Sequence, residues 1–279
     1  MEAAIDSTTI PFGFRASDQQ FVDVAHVARG KECGCVCPSC KTPLIAKKGN
    51  IKEWHFAHEG RSSYAKAETM CDFSFYVSAR LMALQVIGGQ IDILLPEYPD
   101  EGKLKITGAK KLTLSDVKVE QKFSGVMVDV MGRVRDYAFI LYFTHPGRAF
   151  PDALSEPKDR RCGIVSISLD GLPNLFGIVG VKQSYKDRLS DFIVNDIASK
   201  KWRYHPRHAR YTKHNADQVK DGNTTVQTPI EKHGAQRLAN LECVFCKVQW
   251  QDLYPSPISC PKCHDHLGCR LICYVDNME

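Results

Sequence analysis

The sequence predicts a mixed α+β fold with a small cysteine-rich module at each end of a larger middle region. Ten of the twelve cysteines fall into two clusters, at residues 33–40 and 243–273. Two segments of the middle region, CDFSFYVSARLMALQVI and KDRLSDFIVNDIAS, carry apolar residues at helical spacing. Seven short apolar runs, separated by Gly, Pro and Asp, are typical of strands.

The expected division of the chain follows these changes in composition. Residues 1–70 contain the first cysteine cluster, and residues 71–214 contain the helix and strand patterns. Residues 215–235 are polar and poor in large apolar side chains, which predicts a linker. Residues 236–279 contain the second cluster.

Length and composition are those of an ordinary globular protein. The 279 residues are 43% hydrophobic and 25% charged, enough for one large domain or two to three smaller ones. A net charge of +5 permits a polyanionic partner without requiring one. No apolar run approaches the roughly 20 residues of a membrane-spanning helix, and the N-terminus lacks the regions of a signal peptide. We therefore expect a cytoplasmic protein with no membrane partner.

The segment CVCPSCKTPLIAKKGNIKEWHFAH combines a cysteine pair with a histidine pair. Cys37 and Cys40 lie on a tight turn, and we expect His55 and His58 on one helical turn, with both rings facing one ion. Four such ligands complete the tetrahedron of a structural zinc site, and no position is then open for a catalytic water. Cysteines in CxxC spacing in a reducing compartment indicate metal binding rather than disulfides. The alternatives for one ligand are Cys33 and Cys35.

The second cluster has the spacing of a zinc ribbon. Thirteen residues separate the pair Cys243 and Cys246 from the pair Cys260 and Cys263. A module of about forty residues has too small a core to fold without its metal, so we expect a second structural zinc ion here. The residues left open as further ligands are His264, His266, Cys269 and Cys273.

The first segment resembles the N-terminal zinc motif of the competence protein CoiA family, through its CPSC, PLIAKKG and HFAH elements. The resemblance continues more weakly from residue 71 to about residue 205. It implies a zinc finger joined to a nuclease-like core of the PD-(D/E)XK type, in bacterial proteins associated with the processing or recombination of incoming DNA.

The catalytic set that this resemblance implies is incomplete. Such a core needs an Asp on one strand and an acidic residue followed by Lys or Gln on the next, because two carboxylates hold Mg²⁺. Asp129 in GVMVDVMG matches the first position, and Asp72 on the preceding helix is a looser match. The second position falls at Ile140–Tyr142, without a carboxylate, while Glu120 precedes Asp129 and has the wrong strand order. We therefore expect a nuclease-like fold without enzymatic activity, with Mg²⁺ a cofactor only if the core is active.

The run KKWRYHPRHARYTKH, at residues 200–214, interleaves basic and aromatic side chains. Lys and Arg neutralise phosphates, and exposed rings stack on unpaired bases. The alternative is a basic loop whose aromatic residues pack against the core. Further positive charge on the finger comes from Lys47, Lys48 and Lys52. The candidate nucleic-acid-binding residues are Lys200, Lys201, Trp202, Arg203, Arg207 and Arg210.

The expected function is to bind DNA, single strands included, or to dock to a DNA-processing assembly. Both zinc ions are then structural. Two alternatives stay open. One is an active Mg²⁺-dependent nuclease that uses Asp129 and a second carboxylate that the sequence does not align. The other is a protein-interaction subunit of a bacterial DNA-uptake, mobile-element or phage-defence assembly.

Overall fold

The computed structural model describes residues 9–50, 52–59, 71, 74–98, 107–178, 183–207, 237–254, 258–264 and 269–275. These residues form a mixed α+β protein, as predicted. No helix within them is both long and apolar enough to cross a membrane. The helices are α1 (Ser74–Val86), α2 (Leu172–Phe176) and α3 (Tyr185–Asn195).

Fourteen strands lie in the described part of the chain, in four sheets. The N-terminal strands are β1 (Phe12–Arg15), β2 (Gln20–Asp23), β3 (Cys35–Val36), β4 (Leu44–Lys47) and β5 (His55–His58). Those of the middle region are β6 (Ile91–Leu95), β7 (Lys110–Phe123), β8 (Val126–Val134), β9 (Tyr137–Thr144), β10 (Cys162–Ser168) and β11 (Lys200–Tyr204). The C-terminal strands are β12 (Arg237–Cys243), β13 (Gln249–Tyr254) and β14 (Cys269–Tyr274).

The N-terminal region consists of a three-stranded antiparallel sheet, in the order β2-β1-β3, and a β4–β5 hairpin. Bridges from Ile10 to Phe56 and from Gly30 to Ala46 connect the hairpin to the rest of this region. Gly13 lets the chain pass close to its neighbour, because a Cβ atom there would lie 2.9 Å from the Cβ of Cys35. The hairpin is therefore held on a small, closely packed base.

The middle region is built on a six-stranded sheet in the order β11-β10-β9-β8-β7-β6. Neighbouring strands are antiparallel except β9 and β10, which are parallel. The central strand β9, YAFILYF, is a continuous apolar run because both of its faces are buried. Phe139, Leu141 and Phe143 face the large core, and Ile140 and Tyr142 face a smaller one.

One hydrophobic core joins the N-terminal region to the middle region. Phe12 of β1 meets Phe176 of α2 edge to face at 6.1 Å between ring centroids. Phe176 in turn packs against Phe75 of α1 at 5.8 Å and against Tyr185 of α3 at 4.8 Å. These four aromatic residues are almost completely buried. The first cysteine cluster is thus attached to the body of the protein by aromatic packing as well as by the chain.

The C-terminal module is an antiparallel sheet in the order β13-β12-β14 with its own small core. Its contacts with the middle region include aromatic packing. The ring of Phe245 lies 5.7 Å from that of Tyr137, and the guanidinium of Arg135 lies 4.7 Å above the Phe245 ring. The linker expected at 215–235 lies outside the described residues.

Candidate metal centres and a basic groove

Four ligand atoms of the N-terminal region form a first candidate metal centre, to which we refer as the hairpin centre. They belong to Cys37, Cys40, His58 and Cys71 and all lie within 4.8 Å of one another. The Sγ atoms of Cys37 and Cys71 are 3.8 Å apart, and Cys40 Sγ is 3.3 Å from His58 Nε2. Zn–S and Zn–N bonds of about 2.3 and 2.0 Å in a tetrahedron place sulfurs about 3.8 Å apart and sulfur and nitrogen about 3.5 Å apart. The donor set therefore fits a tetrahedral ion.

Strand geometry selects His58 and leaves out His55, which we expected to be a ligand. Residues His55–His58 form β5 and not a helical turn. Side chains three positions apart in a strand lie on opposite faces. His58 shares its face with the buried Phe56 and reaches Cys40, whereas His55 lies on the other face, with Nδ1 2.9 Å from the Glu53 carbonyl oxygen. The expected His55 ligand was thus based on the wrong local structure.

Cys71 supplies the fourth ligand of the hairpin centre. It lies just before α1, where its carbonyl accepts a hydrogen bond of 3.0 Å from Ser74 N–H. It belongs to no CxxC pair, so sequence reasoning missed it, and no local signal in the chain marks it. The alternatives Cys33 and Cys35 do not join the group. Their thiols donate instead to the carbonyl oxygens of Leu44 and Cys33, at 3.2 and 3.1 Å.

The second candidate centre, the ribbon centre, consists of the four cysteines expected from the sequence. Cys243 and Cys263 sulfurs are 3.6 Å apart, and Cys246 Sγ lies 3.3 Å from that of Cys260 and 3.8 Å from that of Cys263. These separations also fit a tetrahedral ion. Three residues left open, His264, Cys269 and Cys273, are absent from this group, and His266 lies outside the described residues.

The three CxxC turns of the two centres share one backbone conformation. In each, the residue after the second cysteine has a positive φ and donates its N–H to the carbonyl of the first cysteine. These residues are Lys41 (φ 63°, 3.0 Å), Lys247 (φ 59°, 2.9 Å) and His264 (φ 54°, 2.8 Å). The turn brings both sulfurs of a pair to one side, which is what a shared ion requires.

One thiol in each centre, that of Cys40 or Cys246, has a lowered pKa. Burial alone would raise the pKa of Cys40, but the Thr42 hydroxyl and the neighbouring cysteines lower it to about 7. Hydrogen bonding from the Val248 N–H lowers the pKa of Cys246 to about 7. Burial raises the pKa of Cys71 and Cys243 to about 12. Because thiolate is the metal-binding form, a bound ion would take up the remaining thiols with release of protons.

Asp129, the candidate catalytic residue of β8, lies at the centre of a buried ion-pair cluster. Its Oδ1 accepts a hydrogen bond from Arg80 Nε at 2.5 Å. Its Oδ2 accepts from Arg148 Nη1 at 2.6 Å and from Phe143 N–H at 2.7 Å. The side chain has no solvent exposure. Both carboxylate oxygens are therefore occupied by donors.

The surroundings of Asp129 disfavour a divalent cation. Two guanidinium groups stand where the cation would have to bind, and their positive charges would repel it. Glu120, which contacts Arg80 at 3.4 Å, is 54% exposed. Burial, followed by the charges of Arg148 and Arg80, lowers the pKa of nearby His145. Asp72 lies outside the described residues, within which the hairpin and ribbon centres are the groups with metal-ligand geometry.

The described part of the basic run, residues 200–207, is largely internal, whereas we expected a nucleic-acid surface there. It forms β11 at the edge of the sheet, so Lys200 and Trp202 point inward together. Lys200 Nζ donates to the Asp196 carbonyl at 2.7 Å, and burial lowers its pKa to about 8. Trp202 donates its ring N–H to the Pro96 carbonyl at 2.9 Å.

The remaining members of that run are divided between interior and surface. Arg207 is buried, with Nη1 donating to the Ile258 carbonyl at 3.4 Å. Arg203 is half-buried and lies 4.6 Å above the Phe150 ring. Lys201 is exposed, and Arg210 lies outside the described residues. The described part of the run therefore does not form a continuous basic patch.

A basic surface lies instead on the hairpin. A groove with a volume of about 580 Å³ runs along one side of the loop between β4 and β5. We call it the basic groove, and its basic side chains are Arg29, Lys47, Lys48 and Lys52.

The basic groove is supported by fixed contacts. Lys48 Nζ donates to the carbonyls of Ala25 and Val27 at 3.1 and 2.6 Å and lies 4.9 Å from the ring centroid of Trp54. Trp54 donates its ring N–H to the Gly49 carbonyl at 3.0 Å and is 42% exposed. A partly exposed indole is thus fixed beside a row of cations.

The region that carries the hairpin centre is similar to a known protein family. Residues 19–64 match the family model described as the N-terminal domain of competence protein CoiA. The matched range contains the whole β4–β5 hairpin and the ligands Cys37, Cys40 and His58, and ends before Cys71. No curated protein matches the chain, and no solved structure does.

Proposed function

We propose that this chain is a cytoplasmic, zinc-stabilised accessory protein that binds DNA through its N-terminal module and does not cleave it. The observation that carries the proposal is the basic groove on the hairpin, with Trp54 beside it. The likeness of residues 19–64 to the N-terminal domain of a competence protein supports a role in handling DNA. We also keep the three-part division at residues 1–70, 71–214 and 236–279 as part of the proposal.

Zinc would be held by the four residues of each centre. It would supply cross-links between elements, and no open coordination position, because each centre has four protein donors. In the hairpin centre it would connect the CxxC turn, strand β5 and the start of α1. The ion would thereby fix the loop that carries the basic groove.

The groove has the chemistry of a phosphate-binding surface. Lys47 and Lys52 are exposed and Arg29 lies beside them, so three cations are available to phosphates. Lys48 holds the loop through its backbone contacts. An indole exposed at such a groove offers a stacking surface for a base. This combination favours nucleic acid over an acidic protein.

A nuclease-like middle region without activity fits the contacts of Asp129. Arg80 of α1 contacts Asp129 of β8, and β9 pairs with β8, an arrangement that is compatible with a PD-(D/E)XK-like core. Residues 140–142 of β9 supply no carboxylate, and two arginines hold Asp129. In this proposal an ion-pair cluster stands where an active relative would bind Mg²⁺.

The groove is tested by a charge-matched comparison. Lys47→Ala/Lys52→Ala removes two groove lysines, and Lys118→Ala/Lys122→Ala removes two exposed lysines of β7. In a plot of log K against log salt concentration, we expect the first variant to make the slope less steep, by about 1.4 for single strands and about 1.8 for duplex. The second variant should leave the slope unchanged. Fluorescence anisotropy with labelled DNA between about 50 and 200 mM salt measures both. Equal slopes for the two variants would contradict the groove.

Catalysis is tested separately, with plasmid and single-stranded DNA in the presence of Mg²⁺ or Mn²⁺. We expect no cleavage by the purified protein. Cleavage that disappears in Asp129→Ala would show that the chain is an active nuclease, and the proposal of an inactive core would be wrong. DNA binding by the groove is judged by the anisotropy data alone, so the two conclusions stay independent.

A second candidate function is docking to a protein of a DNA-processing assembly. It is favoured by three large apolar side chains exposed on the C-terminal module, Leu238, Leu253 and Ile272, of which Leu238 and Leu253 are cross-strand neighbours. Leu238→Ser/Leu253→Ser should then lose a protein partner that wild-type protein captures, while DNA binding is retained. Retention of that partner by the variant would exclude this surface.

A further inference from the structure

A second cleft also borders the β4–β5 loop. Its volume is about 530 Å³, within the range of about 300–1,000 Å³ of small-molecule sites. The loop residues Lys52 and Trp54 form one wall, and the N-terminal half of α3 with the end of β2 forms the other. We call it the Trp54 cleft. The two cavities adjoin, because both are lined by the loop residues Gly49, Asn50, Lys52 and Glu53.

Two buried donors of the Trp54 cleft have no hydrogen-bond partner among the described residues. They are the hydroxyl of Tyr185 and the Nε–H of Arg188, in side chains that are only 4% and 6% exposed. Arg188 is held in place, because its Nη1 donates to the carbonyls of Leu175 and Phe176, both at 3.1 Å. A buried donor without a partner is costly. The cleft therefore favours a ligand that presents hydrogen-bond acceptors to these two groups.

The charges of the cleft disfavour a phosphate as that ligand. Asp23, Glu53 and Asp187 line it, against the two cations Lys52 and Arg188. Asp23 is already engaged, since its two oxygens accept from the N–H groups of Ala25 and Lys186, each at 2.8 Å. An uncharged planar group with both acceptors and donors fits such surroundings better than an anion does. The exposed indole of Trp54 at the edge provides a stacking face for it.

We propose that the Trp54 cleft receives one unpaired nucleobase of a DNA single strand whose phosphates lie in the basic groove. This inference rests on the proposed DNA-binding function and names the form of DNA that the site selects. The base stacks on Trp54, and its carbonyl oxygen or ring nitrogen accepts from Tyr185 and Arg188. Phosphates stay on the lysine-rich side of the loop. A paired base in a duplex cannot enter the cleft.

Tyr185→Phe is a sharp test, because the hydroxyl that it removes has no hydrogen-bond partner among the described residues. The fold should lose nothing, so the thermal midpoint should be unchanged or slightly raised. Three labelled ligands of equal length are compared by anisotropy: a mixed-sequence single strand, a fully abasic strand and a duplex. We expect affinity for the base-bearing strand to fall about two- to tenfold, with no change for the other two. Equal affinities of variant and wild type for all three ligands would overturn the base site, and so would an equal loss for all three.

Trp54→Ala and Trp54→Phe provide a second, independent measurement. Loss of stacking should weaken binding of the base-bearing strand by about five- to 150-fold in Trp54→Ala, and Phe should restore most of it. A loss equally large for the abasic strand would overturn the stacking role.

Lys47→Ala/Lys52→Ala in the same assay separates the two proposals. If it weakens binding of all three ligands while Tyr185→Phe changes none, the groove stands and the base site is wrong. If it weakens none, the DNA-binding function itself fails.

Discussion

Replacement of Cys71 by serine tests the least expected feature of this protein, a metal ligand from the start of a helix. The Cys71 sulfur is buried and lies 3.8 Å from that of Cys37, so its removal leaves three donors. Structural zinc sites bind with about 10–16 kcal/mol, or about 2.5–4 kcal/mol for each of four ligands. We therefore expect Cys71→Ser to weaken zinc binding at the hairpin centre by about 10²- to 10³-fold.

Competition with a chromogenic chelator measures this change, because the ribbon centre acts as an internal standard. Wild-type protein should hold two zinc ions per chain, and Cys71→Ser should release one of them at chelator concentrations that leave the other bound. His55→Ala is the matched control. The His55 ring contacts the Glu53 carbonyl and does not belong to either group of candidate ligands among the described residues. The zinc affinity of the His55→Ala protein should therefore stay within about twofold of wild type. Release of an ion by His55→Ala together with full retention in Cys71→Ser would refute the assignment.

Three further predictions concern the middle region and the ribbon. Asp129→Asn leaves two half-buried arginines without their buried counter-charge and should lower the free energy of unfolding by about 3–5 kcal/mol. Glu120→Gln, at an exposed partner of Arg80, should change it by about 1 kcal/mol or less. Urea denaturation compares the two variants, and equal effects would contradict a special role for the buried Asp129 carboxylate. Burial lowers the pKa of Lys200 from 10.5 to about 8. Between pH 8 and 10.5 the unfolded chain therefore binds more protons than the folded protein, and the free energy of unfolding should rise with pH over this range. Lys200→Met should flatten that rise in denaturation curves between pH 8 and 10, and an unchanged slope would exclude Lys200 as its source. Cys260→Ser should unfold the C-terminal module while the hairpin centre keeps its ion. Zinc analysis should then give one ion per chain, and limited proteolysis should show new cleavage within residues 237–274 alone. Loss of both ions would contradict two independent centres.

The ribbon centre shows what short spacing can establish. Each CxxC pair forms its turn from its own backbone, with Lys247 or His264 closing the loop, so the sequence contains nearly all the information. The second pair is brought to the first by one small sheet. For this reason the four cysteines that the sequence predicted to share an ion are close together in the structure.

The hairpin centre shows where spacing is ambiguous. Two histidines three apart share a face in a helix and lie on opposite faces in a strand, and the sequence favoured the helix. Pairing of β5 with β4 decided otherwise, with Leu44 opposite His58 and Lys47 opposite His55. Bridges to Ile10 and Gly30, outside the hairpin, accompany that pairing. Strand pairing, and not the spacing of the two histidines, therefore places His58 rather than His55 at the hairpin centre.

By itself the sequence determined the α+β class, helices α1 and α3, the four cysteines of the ribbon centre and three of the four residues of the hairpin centre. These properties depend on periodicity and on contacts between residues close in the chain. They can therefore be predicted from short stretches of the sequence. Only the tertiary structure decided that Cys71 joins Cys37 from 34 positions away, that Arg80 and Arg148 neutralise Asp129, and that β11 turns its lysine and tryptophan inward. Such outcomes depend on which distant surfaces meet when the core forms, and burial then decides whether a charged residue binds a ligand or supports the fold.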